Sequence, residues 1–294
     1  MRLWQREVKT GTQLAIRRMC RLTGVSRAGF YRHEVRPRSA SVELRDQVQR
    51  VALEWPTYGS RRITAELRRC GLSVNRKRVQ RLMREDNLLC LRKRKFVATT
   101  DSTHGMRVYP NLAAALVVSG VNQLWRADIT YIRLLEEFVY LAVVLDAFSR
   151  RAIGWALEAT LEAKLAVAAL EMALERRRPA PGLVHHSDQG VQYASHEYVA
   201  LLEAHEVRIS MSRRGNPWDN ATCESFMKTL KCEEVYRSEY RNLAEARARI
   251  GEFLEEIYNQ KRLHSSLGYC PPAEFERLQS SRPMLVAAVA QEAR

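Results

Sequence analysis

The sequence predicts an α/β domain preceded by an all-α, strongly basic region, and three observations carry that reading. From Asn122 onward, short runs rich in β-branched and aromatic residues alternate with stretches of helical period. Before that point, two helix–turn–helix patterns follow one another. Charge divides at the same place: residues 1–117 hold 26 Lys and Arg against 9 Asp and Glu, a net of +17, and residues 118–294 come to −2. The chain's overall +15 therefore arises in its first two-fifths, and such a front half suits a polyanion, because each neutralised phosphate releases condensed counterions.

Residues 1–40 are expected to form the first helix–turn–helix. Leu14, Met19 and Leu22 supply apolar spacing, Gly24 breaks the helix, and Ser26 caps the next one. The segment Arg36-Pro37-Arg38-Ser39 is expected to end that unit. Residues 41–91 form the second unit: a helix over 42–54, a helix begun at Tyr58-Gly59-Ser60 and ended by Gly71, and a helix over 76–88 capped by Asn75. Arg61 and Arg62 open the middle helix. On the last one, Arg76, Lys77, Arg78, Arg81 and Arg84 alternate with Val79, Leu82 and Met83. One face can pack on a small core while the other meets phosphates and base edges. A single helix of this kind fits a solvated basic surface equally well; two successive units in a basic region favour DNA.

Residues 92–120 read as a basic, largely extended linker that starts at Arg92-Lys93-Arg94-Lys95. The α/β domain spans 121–280, with a tail at 281–294. Its strands are expected over 123–133, 138–146 and 151–158, antiparallel in sequence, then 182–187 and 207–211. Helices are expected over 161–178, 195–205, about 219–236 and about 243–258.

No apolar run approaches the roughly 20 residues of a membrane span, and Arg2, Arg6 and Lys9 interrupt any signal-like start, so a cytoplasmic protein with no membrane partner is expected. The six cysteines are scattered, without a CxxC pair or a nearby histidine couple, which argues for reduced thiols over zinc or disulfides.

Three carboxylates stand out. Asp128 sits mid-strand in Leu124-Trp125-Arg126-Ala127-Asp128-Ile129-Thr130-Tyr131-Ile132, where an unpaired carboxylate is costly, so a metal ion, a salt bridge or a turn hydrogen bond must compensate. Asp188 follows Leu183-Val184-His185-His186-Ser187 at a strand end, where active-site groups and turn caps are both common. Glu224 shares a helix face with Lys228 and Lys231, a surface ion pair if it stood alone. Asp146, ending Val143-Val144-Leu145, reads as a turn cap. His185 and His186 read as loop-ordering, with metal binding the alternative, and Trp218 as packed near the site, with a DNA contact the alternative. Tyr258, Asn259, Arg262 and His264 fit either a substrate groove or helix packing.

Spacing turns the three carboxylates into one signal. Thirty-five residues separate Asp188 from Glu224, and Lys231 lies seven beyond. This resembles the DDE transposase and retroviral integrase superfamily, and the surrounding words resemble the second-frame protein (OrfB) of IS-three-type insertion sequences. They are Trp125-x-x-Asp128-Ile129-Thr130-Tyr131, His186-Ser187-Asp188-Gln189-Gly190, Gly215-Asn216-Pro217-x-Asp219-Asn220-Ala221 and Glu224-Ser225-Phe226. Further on come Tyr258-Asn259, Arg262-x-His264-Ser265-Ser266-Leu267-Gly268-Tyr269 and Pro271-Pro272-x-Glu274-Phe275. Upstream, Tyr58-Gly59-x-Arg61-Arg62-Ile63 and Asn75-Arg76-Lys77-Arg78-Val79 extend the likeness to nearly the whole chain.

The resemblance implies a ribonuclease H-like core, a mixed five-stranded sheet flanked by helices. It implies that Asp128, Asp188 and Glu224 are catalytic and hold two Mg²⁺ ions, replaceable by Mn²⁺, which cut at insertion-sequence ends and join the freed 3′-OH to another phosphodiester. Lys228, Lys231 and Arg262 become candidate DNA contacts. The expected partners are DNA, further copies of the chain that pair two ends, and the upstream-frame protein OrfA or an OrfA–OrfB fusion, since no leucine-zipper heptads appear here. A non-catalytic helix–turn–helix regulator and a simple ribonuclease H-like nuclease are the competing readings.

Overall fold

The computed structural model describes residues 16–28, 38–88, 106–213 and 216–281. The continuation of the first helix–turn–helix past residue 28, the basic run 92–95, Gly215 and the tail from 282 lie outside the described residues.

In the basic region, α1 spans Ile16–Thr23, α2 Arg38–Glu54, α3 Ser60–Arg69 and α4 Arg76–Glu85. Arg38 and Ser39, expected to close the first unit, instead open α2; Pro37 stands just ahead of the helix, the side on which proline is tolerated. Asn75 caps α4 by accepting from Lys77 N, as its position predicts. The apolar stripes of α2, α3 and α4 meet in one small core around Val48, Ile63, Leu67, Val79 and Leu82. That core also takes in Leu263 from the far end of the chain, whose N–H donates to the Tyr58 hydroxyl at 2.8 Å. Burial raises the Tyr58 pKa to about 12, so this hydroxyl remains protonated.

The α/β domain holds β1 (Leu124–Arg133), β2 (Phe138–Asp146), β3 (Ala152–Glu158), α5 (Ala163–Arg177), β4 (Val184–Ser187), α6 (His196–Ala204), β5 (Arg208–Met211), α7 (Ala221–Glu233), α8 (Leu243–Glu252) and α9 (272–281). The sheet order is β3-β2-β1-β4-β5, with β1, β2 and β3 antiparallel and β4 and β5 parallel to β1. This is the mixed five-stranded sheet expected.

Strand alternation separates two cores. Ala142 and Val144 of β2 join α5 and α6 on one face, while Val139, Leu141, Val143 and Leu145 join α7, α8 and Tyr258 on the other. Helix α5 lies so close to β3 that a Cβ on Gly154 would stand 2.1 Å from the Ala169 carbonyl oxygen, so glycine is required there.

Two expected helices are irregular. The one at 219–236 is a short 3-10 turn (Pro217–Asn220), then α7, then another 3-10 turn (Val235–Arg237); the one at 243–258 is α8 followed by a π turn (Phe253–Tyr258). Asn259, just after that turn, clamps the start of β3 by pairing with both the N–H and the carbonyl of Ala152. Helix α9 has no counterpart among the elements expected from the sequence. The described end of the linker is extended but packed: Leu112 and Ala113 donate backbone N–H groups to Ser210 Oγ on β5. No helix among the described residues is long and apolar enough to cross a membrane.

Candidate active site

Three elements converge at the middle of the sheet, where β1 and β4 lie side by side beneath α7. Asp128 lies directly opposite Val143 in the β1–β2 ladder, and cross-strand partners share a face, so its side chain belongs to the α7 side. On β1's other flank, Arg126 pairs with His186 of parallel β4; two residues further on, that register brings Asp128 level with Asp188, the first residue past β4. Glu224 occupies the first turn of α7. Asn220 Nδ2 donates to the Ala127 carbonyl at 3.2 Å, and the Arg126 guanidinium donates to the Asp219 carbonyl, so the turn that starts α7 is tied to the strand carrying Asp128. Sequence reasoning misses these two links, for which the Pro217-Trp218-Asp219-Asn220 turn is the available signal.

The electrostatics match this convergence. Asp128 remains partly open to solvent yet is ringed by protein, and its pKa is pushed up to about 7. Loss of hydration is the largest cause, followed by the negative charge of Asp188; Glu224 adds to the rise and Lys231 opposes it. One Asp128 oxygen accepts from the Ile129 N–H at 2.9 Å, and Asp188 Oδ1 accepts from the Gly190 N–H at 2.9 Å. Among the described residues no group of three or more His, Cys, Asp or Glu side chains is arranged so that it could hold a metal ion. A Mg²⁺ ion keeps several of its waters, so one or two carboxylates together with a substrate phosphate can suffice to bind it. The all-oxygen donor set, with excess negative charge in a partly desolvated cleft, fits a hard divalent cation.

Other candidates divide. Lys228 is exposed on α7. Lys231 is buried, 7% exposed, with its ammonium 4.8 Å from the centre of the Tyr131 ring; burial lowers its pKa while Asp128 pulls it up. Arg262 is 3% exposed and makes a bidentate pair with Glu233 at 2.8 Å. Arg61, Arg76, Lys77, Arg78, Arg81 and Arg84 are exposed, and Arg62 is half-buried.

Asp146 is the turn cap predicted: it is fully buried and accepts from the N–H groups of Asn122, Phe148 and Ser149 and from the Ser149 hydroxyl. His185 and His186 order the sheet rather than the loop. His185 bonds the Tyr198 hydroxyl, and His186 bonds Ser210 and Ser212. Burial drops their pKa values to about 3 and about 4, so both are neutral. Trp218, expected to pack near the site, is 83% exposed because the 3-10 turn projects it outward. Tyr258, Asn259 and His264 are buried in the packing between α7 and the chain beyond α8.

The integrase core domain family matches residues 118–217, a second integrase core domain family matches 205–272, and an HTH-like domain family matches 40–96. The chain is 41% identical over 264 residues to the insertion element IS600 uncharacterized 31 kDa protein of Shigella sonnei, covering 87% of this chain and 97% of that protein. It is 38% identical over 276 residues to Transposase InsF for insertion sequence IS3A of Escherichia coli (strain K12), covering 91% of this chain and 96% of that protein. Among solved structures, the HTLV-2 integrase catalytic core domain in complex with magnesium aligns with a TM-score of 0.41 at 14% identity, covering 53% of this chain and 97% of that one.

Proposed function

The chain belongs to the transposases of IS-three-type insertion sequences, DDE-type polynucleotidyl transferases that act on DNA with divalent metal, and from that premise we propose that Asp128, Asp188 and Glu224 are its catalytic triad, holding two Mg²⁺ ions for which Mn²⁺ can substitute. The observation that carries this reading is Asp128 itself. A carboxylate set mid-sheet, short of hydration and facing two more carboxylates is a charge arrangement that a cation relieves.

When bound, two such ions activate the attacking oxygen and stabilise the leaving oxygen of an in-line phosphoryl displacement. The chain's own part is to fix geometry. Adjacent strands hold Asp128 and Asp188, and the anchored start of α7 sets Glu224 across from them. No side chain need act as a nucleophile: water frees a 3′-OH at the element end, and that 3′-OH attacks a second phosphodiester. Exposed Lys228 is placed to hold the DNA end as a point charge, while Lys231 balances the acidic cleft from behind. Arg61, Arg62 and the α4 residues Arg76, Lys77, Arg78, Arg81 and Arg84 contact DNA phosphates, and Arg262 braces α7 through Glu233.

On the same reading the chain divides into helix–turn–helix units at 1–40 and 41–91, a basic linker at 92–120, the catalytic core at 121–280 and a tail. The protein works in the bacterial cytoplasm at the nucleoid, as a homo-multimer that pairs two ends, together with OrfA or as an OrfA–OrfB fusion. A regulator reading leaves the integrase core without a task. The test is strand transfer on a labelled element end. Mg²⁺- or Mn²⁺-dependent joined products are expected, while hydrolysis of an RNA–DNA hybrid without joining would overturn the reading.

A further inference from the structure

Across α7 from the acidic cleft, a small polar niche of about 100 Å³ lies between the helical unit and the α/β domain. Three guanidinium groups from separate parts of the chain border it: Arg62 on α3, Arg150 in the β2–β3 turn, and Arg262 beyond the π turn. No acidic side chain lines it among the described residues, although the Arg262 guanidinium is already held by Glu233 from outside the lining. Helix α7 adds the hydroxyls of Thr222, Ser225 and Thr229, spaced i, i+3 and i+7 and so on one face. Glu224, Lys228 and Lys231 stand on a different face of the same helix.

Two features show that the niche is built. His264 lines it, and its buried Nε2 has no hydrogen-bond partner among the described residues. Burial, then Arg262, Arg62 and Arg150, push this imidazole down to about 3, so it is neutral and can donate one N–H from Nε2. Arg150 adopts φ 63°, a left-handed conformation that glycine takes freely and arginine does not. The turn thus keeps a strained arginine whose Nη1 reaches Thr222 Oγ1 at 2.8 Å on the niche wall.

We propose that this niche binds one backbone phosphate of the DNA at a position away from the scissile one. A strand leaving the cleft and crossing the exposed ridge of α7, where Ser225 and Lys228 stand, would reach it. Because Arg62 comes from the helical unit, the site is complete only when that unit is docked, so the bound phosphate joins the two units on one strand. This inference rests on the transposase reading for its ligand, but the recognition is of a phosphodiester and not of sequence.

The test uses the full chain and Arg150→Gly, a change that suits φ 63° and so preserves the fold while deleting the guanidinium. Arg208→Gln, exposed on the edge strand, controls for loss of one positive charge. Binding of a random-sequence duplex is measured across a salt series. Arg150→Gly is expected to weaken binding by about tenfold and to reduce the salt slope by about 0.9, the equivalent of one phosphate, while Arg208→Gln leaves the slope as in wild type. In parallel, inorganic phosphate at fixed ionic strength is expected to raise the Tm of wild type and not of Arg150→Gly. An unchanged slope in Arg150→Gly overturns the proposal, even if inorganic phosphate stabilises wild type, because the niche then takes a free anion only. Metal-dependent strand transfer by wild type is scored separately. If joining fails while the slope still changes, the catalytic reading falls and the phosphate site stands.

Discussion

The acidic cleft and the basic face of α4 both carry charge that the chain leaves unbalanced, but in opposite ways. In the cleft the charge is negative, concentrated and short of water, so that Asp128 holds its proton up to about pH 7. On α4 it is positive, spread over ten residues and exposed, and none of Arg76, Lys77, Arg78 or Arg84 makes an ion pair with a described residue. A concentrated buried charge calls for a discrete counter-ion, whereas a spread exposed one calls for an extended polyanion. Two groups elsewhere show the opposite arrangement: Arg262 is matched by Glu233, and Asp146 by four hydrogen-bond donors. Imbalance, more than charge itself, separates the working groups from the structural ones.

The largest expected effect tests that distinction directly. Asp128→Asn, Asp188→Asn or Glu224→Gln should each reduce cleavage and joining by at least ~1000-fold, the several kcal/mol that metal-assisted charge stabilisation supplies. Non-specific duplex binding should stay within about twofold of wild type, since the phosphate-facing residues of the helical unit provide it. Asp146→Asn should do the reverse. An amide at that position turns a donor toward one of its N–H partners, so unfolding should become easier by about 2 kcal/mol, read as a lower denaturant midpoint. If all three triad variants lost DNA binding along with catalysis, the contrast between working and structural carboxylates would not hold.

A smaller effect sharpens the contrast through pH. The folded-state pKa of Asp128 is raised from 3.8 to about 7, so between those values the folded protein binds more protons than the unfolded chain. The favourable contribution is present below the unfolded value and is lost as pH rises through the folded one. In chelator, Asp128→Asn should therefore melt a few degrees above wild type near about pH 8, with the gap closing toward about pH 4. Adding Mg²⁺ should raise the wild-type Tm, more at the higher pH because metal and proton compete for the same oxygens, and should remove the gap. A gap of constant size across that range would mean that Asp128 is not the group titrating.

Most of the α/β domain is legible in the sequence because its signals are local and periodic. Alternation in β1 and β2, and β-branched runs bounded by turns, predict the strands to within a residue or two. That the sheet is mixed and five-stranded comes from the family resemblance, and its strand order is seen only in the structure, since periodicity cannot say which strands are neighbours. The proposed triad is legible as spacing, but its geometry is not: that Asp128 and Asp188 lie level depends on the β1–β4 register. What could not be read follows from long-range packing. Lys231 has the sequence context of a surface residue, yet it is buried against Tyr131. Trp218 looks like a packing residue, yet a 3-10 turn projects it outward. Arg150 sits in an ordinary-looking turn until Arg62, Arg262 and His264, from distant parts of the chain, surround the same niche. Helix α9 starts at Pro272, where proline is favourable, and no apolar period in the sequence is assigned to it.

The smallest expected effects belong to the basic side of the comparison. Replacing Arg76 or Arg78 with Ala should weaken duplex binding several-fold and lower the salt slope by about 0.9 for each phosphate no longer neutralised, equally for unrelated sequences. Arg81→Ala should do less, because its guanidinium already lies 3.6 Å from Glu85, one turn along α4, so part of its field is spent within the helix. Val79, Leu82 and Met83 hold the opposite face in the core, so none of these changes should alter the Tm by more than about a degree or two. Salt slope and stability are thus expected to move independently here, whereas in the acidic cleft one side chain is expected to govern both metal binding and the pH dependence of melting. A wild-type salt slope in Arg76→Ala and Arg78→Ala would place the polyanion elsewhere than on α4 and leave its exposed charge as ordinary solvated surface.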